Sequence, residues 1–79
     1  MPNLPDDDEW LLQERRALGD RIRITRIRQD RTQESVYLAA RIARSTYQEI
    51  EGGTADARIG TLMRIARVLG VHVTDLLHG

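Results

Sequence analysis

Apolar residues recur at helical spacing along most of the chain, and no stretch shows the strict alternation of a strand. Leu11, Leu18, Ile22 and Thr25 mark one face of a long first helix, expected from about Asp8 to Gln29, with Arg15, Arg16, Arg21, Arg23 and Arg28 between them. Pro2 and Pro5 keep the first residues out of it, and Asp6 to Glu9 place acid where a helix N-terminus favours negative charge. Gly19 is the weak point of this helix on propensity grounds. Thr32 is a good N-cap for a second, short helix, Gln33 to Ala40, with Val36 and Ala39/Ala40 toward the core. Residues 41 to 43 form a turn. A third helix, about Arg44 to Glu51, stops at Gly52-Gly53, and a loop runs on to Arg58. In the fourth, IGTLMRIARVL, Leu62, Ile65, Ala66 and Leu69 fall on one stripe before Gly70. Thr74 is placed to cap a final turn, Asp75 to Leu77.

The pattern therefore predicts an all-α domain of five helices with an extended first helix. Its 79 residues suffice for one core. Residues 8–79 are expected to form that domain and residues 1–7 a flexible acidic arm. Trp10, Tyr37 and Tyr47 are the only aromatics, so Leu, Ile, Val and Ala must build the interior. Cysteine is absent, which removes disulfides and thiolate metal sites. No apolar run approaches the roughly 18 residues of a membrane span, and the acidic N-terminus is unlike a signal peptide. A cytoplasmic, nucleoid-associated location is expected.

A formal net charge of zero conceals a segregation. Residues 1–20 hold six acids against two arginines, whereas ten arginines face six acids from Arg21 onward. The body is basic, and it is the local field that meets a polyanion. His72 and His78 have neither cysteine nor a carboxylate set with which to bind a metal, and no nucleophile–base or phosphate-loop pattern is present. Neither an enzyme activity nor a cofactor or small-molecule effector is expected.

In the third helix, Ile50 lies about 60° to one side of Tyr47 and Glu51 about 40° to the other, which defines a buried face. Ser45 and Glu49 point the opposite way, Gln48 flanks them and Arg44 stands at the helix start. If this helix enters a major groove, Arg44, Ser45, Gln48 and Glu49 are the candidate base readers.

The segment Thr32-Gln33-Glu34 … Arg44-Ser45-Thr46 … Ile50-Glu51 … Gly53 resembles the helix-turn-helix of the Cro/C1-type, XRE-like regulators. Leu18-Gly19, Arg21-Ile22-Arg23, Arg26, Thr61-Leu62, Ile65-Ala66, Leu69-Gly70-Val71 and Leu76-Leu77 continue the match in register over residues 18 to 77. The resemblance implies a lambda-repressor-like fold, with residues 32–51 as the helix-turn-helix unit and double-stranded DNA as the partner. It also implies phosphate contacts from Gln33, Arg26, Arg41, Thr46 and Arg58, and an ion pair between Arg26 and Glu51 that joins the first helix to the end of the third. Several positions depart from the usual pattern. Arg41 stands where glycine is common in the turn, Ala43 replaces a capping Ser or Thr, Asp30 a Gly or Asn, and Arg31 an apolar residue. Glu49 puts an acid where phosphate is near, unless it accepts from cytosine N4.

Trp10, Leu11 and Leu12 precede the matched region and need burial. They either fold back on their own core or form a dimer contact with the C-terminal end, for which Trp10, Leu11, Val73, Leu76 and Leu77 are the candidates. The expected function is that of a homodimeric transcriptional regulator, a repressor or activator, on a two-fold operator. The rival is a protein-interaction module of the same fold, without DNA binding, that engages a partner through Trp10 and the acidic arm.

Overall fold

In the computed structural model, which describes residues 8–78, five helices occupy the chain: α1 Glu9–Arg28, α2 Gln33–Ala40, α3 Arg44–Glu51, α4 Ile59–Leu69 and α5 Val73–Leu77. The acidic arm expected over residues 1–7 lies outside the described residues. Among those described the fold is all-α, and no helix is long and apolar enough to cross a membrane.

α2, α3 and α4 form where their patterns place them. Thr32 Oγ1 accepts from the Ser35 N–H at 3.0 Å, the N-cap bond that opens α2. Val36 and Ala40 face inward from it, while Ala39 is exposed. In α4 the whole stripe of Leu62, Ile65, Ala66 and Leu69 is buried. These side chains close on Ile22, Val36, Tyr47, Ile50 and Leu76 to make one core.

Three sequence expectations need correction. The last helix starts at Val73, two residues early, because Asp75 accepts from the His72 N–H at 3.1 Å and makes His72 the N-cap in place of Thr74. Leu76 was expected at a dimer surface but is 1% exposed, a core residue at the end of α5. On α1, Leu11 and Leu18 are only partly buried and the fully buried positions are Gly19 and Ile22. α1 packs on α3 and α5, and its backbone makes its closest approach at one point, against the end of α3.

That point is Gly19. A Cβ built there would lie 2.6 Å from the Ile50 carbonyl oxygen and closer still to that of Glu51. The residue that looks weakest by propensity is therefore the one that lets α1 touch the last turn of α3. Gly53, at φ +75°, has a similar constraint, since a Cβ would meet the α1 backbone at Arg16, 2.8 Å from its Cα. The sharp exit from α3 thus runs directly against α1.

Side chains also tie helix ends across the fold. Arg31 Nη1 donates to the Val68 carbonyl at 2.8 Å, Gln29 Nε2 to that of Leu69 at 2.6 Å, and Arg21 Nη1 to that of Leu76 at 3.1 Å. Carbonyls in the last turn of a helix lack internal donors, and these three satisfy them. Arg31, an apparent misfit in an apolar position, holds the start of α2 to the end of α4.

Gly19→Ala separates propensity from packing. In an open helix the change would stabilise by about 1 kcal/mol. Here we expect a loss of about 1–3 kcal/mol from forced separation of α1 and α3. Urea unfolding of the two proteins reads the sign, and a stabilised variant would refute the close approach.

Candidate nucleic-acid interface

α3 divides cleanly. Tyr47, Ile50 and Glu51 are buried, while Arg44, Ser45, Thr46, Gln48 and Glu49 are exposed along its outer side. Arg41 and Arg58 are exposed on either side of the helix in sequence. The turn into α3 is made without the usual residues. Arg41 sits in the left-handed region at φ 58°, ψ 47°, and its N–H bonds to the Leu38 carbonyl. For a residue with a Cβ this conformation costs roughly 1–2 kcal/mol. Ala43 gives α3 no side-chain cap. Asp30, at φ 54°, similarly turns the chain from α1 toward α2.

What holds α3 in place is polar and buried. Arg26 Nε donates to Glu51 Oε2 at 2.8 Å and its Nη2 to Oε1 at 3.0 Å, a bidentate pair in which the side chains are 12% and 3% exposed. Arg26 Nη1 also donates to the Arg31 carbonyl at 2.8 Å. With three of its five N–H donors committed inward, Arg26 belongs to the scaffold, and a phosphate could take up only the two that remain.

Gln33 joins the same group. Its amide Nε2 donates to Glu51 Oε1 at 3.1 Å, and its Oε1 accepts from Gln48 Nε2 at 3.5 Å. The Gln48 bond is long, but it runs from the candidate reading face to the buried carboxylate in two steps. The sequence did not disclose this chain, because Gln33 and Gln48 are 15 residues apart. A phosphate ligand at Gln33 would have to take up the remaining amide hydrogen while Glu51 keeps the first.

Electrostatics fit this arrangement. Burial works to raise the Glu51 carboxyl, but the donors around it, Arg26 foremost, outweigh that effect and hold it below the usual carboxylate range. The same hydrogen bond raises the Arg26 guanidinium. Beside them Tyr47 packs at 0% exposure, its ring centroid 6.2 Å from that of Tyr37. Burial first, and then the Glu51 carboxylate, push its phenol up, and its hydroxyl is buried without a hydrogen-bond partner among the described residues.

Of the other candidate positions, Trp10 is 61% exposed, so it does not fold back on its own core. Leu77 is 40% exposed, and Leu11 and Val73 are partly buried. No ion pair engages Glu49 among the described residues. No group of three or more potential metal ligands occurs there either.

An eight-residue helix with a polar outer face, braced by α2 across a three-residue turn, defines a helix-turn-helix domain. The helix-turn-helix family model matches residues 22–76, and the chain belongs to that family, in its Cro/C1-type, XRE-like branch of DNA-binding transcriptional regulators. Among solved structures it is similar to the clp gene regulator ClgR from Corynebacterium glutamicum, at 28% identity and TM-score 0.77, over 81% of this chain and 68% of that one. It is also similar to the hypothetical transcription factor NHTF from Neisseria, at 22% identity and TM-score 0.79, over 99% and 85% of the two chains, a likeness that speaks to the fold alone. No curated protein gives a significant sequence match.

Two predictions concern the buried pair. Arg26→Ala leaves Glu51 buried and unpaired, at an expected cost of about 3–5 kcal/mol, whereas Arg26→Met combined with Glu51→Leu costs much less. Thermal melting of both variants checks this; equal melting of wild type and Arg26→Ala would remove the claim. The second prediction is acid lability. The folded pKa of Glu51 lies below its unfolded value of roughly 4.3, so the unfolded chain takes up the proton first. The pair's stabilisation is complete above that unfolded value and is lost as pH falls through the folded one. Melting temperature across that window should drop less steeply in Glu51→Gln than in wild type.

Proposed function

We propose that the protein is a sequence-specific regulator that acts as a homodimer on a two-fold operator. In this reading α3 lies in the major groove, with Arg44, Ser45, Gln48 and Glu49 toward base edges. Gln33, Arg41, Thr46 and Arg58 contact phosphates and set the register. Promoter occupancy then represses or activates transcription. The observation that carries the reading is the division of α3, whose inner side is fixed by Tyr47, Ile50 and Glu51 while five consecutive or near-consecutive polar residues are exposed. Arg44 suits guanine, Gln48 adenine and Glu49 the cytosine amino group. A two-fold dimer would present two such helices about one DNA turn apart.

A second reading is favoured by Glu49, an exposed acid on the reading face that has no ion pair among the described residues. It takes the domain as a partner-binding module that has lost DNA recognition and uses Trp10 and the acidic N-terminus.

Selection of bound sites from random duplex DNA, at two salt concentrations, tests the two. We expect an enriched palindromic motif whose binding weakens with salt. Gln48→Ala should relax preference at one position per half-site by about 1–3 kcal/mol. Arg58→Ala should weaken all sites alike and reduce the salt slope by about 1. Absence of any motif would favour the second reading, and an enriched motif without two-fold symmetry would remove the operator geometry.

A further inference from the structure

Between the first half of α1, the loop at residues 55–57 and the end of α5 lies a cleft of about 220 Å³, walled by Leu11, Leu18, Ala55, Ala57, Leu62 and Leu77. Trp10 is not among its walls, although its neighbour Leu11 is. One residue along a helix is a turn of about 100°, so Trp10 points away from the cleft that its own α1 helps to form. The protein thus exposes its largest aromatic side chain beside an apolar cleft that this side chain cannot enter.

We propose that this cleft receives Trp10 of a second copy, and that the reciprocal insertion of two tryptophans forms the homodimer interface. The inference rests on the dimer of the preceding section and names its contact. Three features identify the occupant as another copy. A two-fold contact uses the same patch on both subunits, and this patch carries both a projecting side chain and a recess. The size is suitable, since an apolar cavity of about 150 Å³ already admits a benzene ring. Charge is complementary as well. Asp8 and Glu9 immediately precede Trp10, and two of the four charged residues lining the cleft, Arg15 and Arg21, are cations that can receive them.

At the cleft itself Arg15 and Arg21 stand with Glu14 and Asp56. Arg15 is only 3.9 Å from Asp56 at its nearest, and its Nε is buried with no hydrogen-bond partner among the described residues. Arg21 forms no ion pair there and spends one donor on Leu76. The carboxylates of Asp8 and Glu9, carried in with Trp10, would meet these two guanidinium groups. An inserted indole covers Leu77, 40% exposed, at the rim.

Trp10 is the sole tryptophan, so the native chain reports on its own interface. The full-length protein is studied by sedimentation equilibrium and tryptophan emission over a wide concentration range, alongside Trp10→Ala and Ala57→Arg, which fills the cleft from the other side. Circular dichroism verifies that helix content is retained. We expect a wild-type dimer whose emission shifts to shorter wavelength as it forms, and dissociation constants raised about tenfold or more in both variants. A wild-type dimer that Trp10→Ala leaves equally tight, or whose indole emission stays that of an exposed group, overturns the inference while leaving the dimer reading intact. A wild type that stays monomeric, and binds operator duplex one half-site at a time without cooperativity, overturns both.

Discussion

The Arg26–Glu51 pair is the interaction on which the interface depends. An eight-residue helix is far too short to persist alone in water, so α3 exists only as far as its neighbours hold it. Its outer face is polar, which leaves Tyr47 and Ile50 as its only large apolar contacts. Glu51 supplies the rest. Its carboxylate takes two bonds from α1 through Arg26 and one from α2 through Gln33, so one buried group fixes α3 against both. A carboxylate in the last turn of a helix opposes the macrodipole, and Arg26 offsets this as well as the desolvation. Gly19 is the steric counterpart, since only a residue without a Cβ lets α1 come near enough to the Ile50 and Glu51 carbonyls for Arg26 to reach.

This division of labour explains why the turn between α2 and α3 can be locally poor. Arg41 is strained, Ala43 does not cap, and neither residue recommends a turn. The start of α3 is set by the turn, but its direction is set at the far end by Glu51. The pieces around it follow the same rule. Helix ends that lack internal partners are satisfied across the fold by Gln29, Arg31 and Arg21, so long polar side chains determine how α1, α2, α4 and α5 meet.

Much of this was legible from the chain, and the exceptions share a cause. Thr32 as cap, the α4 stripe and the inward side of α3 follow from local spacing, and the structure places each where spacing puts it. The ion pair was reached through family resemblance; its separation of 25 residues carries no local signal. Gly19 was misleading because propensity describes an isolated helix, whereas its role depends on a carbonyl from another one. Leu76 and Leu77 are alike in sequence, yet one is core and the other rim, because neighbours on a helix point about 100° apart. Ile24 and Ile27 are exposed although apolar, since they lie about 200° and about 140° around α1 from the buried Ile22.

The reading of charge illustrates the same difference between a sum and a place. Zero net charge would deny this protein any attraction for a polyanion if its charges acted together. They do not act together at physiological ionic strength, where exposed charges are screened over about 8 Å. Glu9 and Arg26, at opposite ends of α1, are separated by 17 residues, roughly 26 Å of helix. The acids that open α1 therefore lie some three screening lengths along that axis from the end where α1 clasps α3. In the proposed reading a phosphate near α3 meets Arg44, Arg41 and Arg58 against Glu49, all exposed, while Arg26 and Glu51 cancel each other as a buried pair. Those four exposed side chains sum to plus two, in a chain whose formal total is nil.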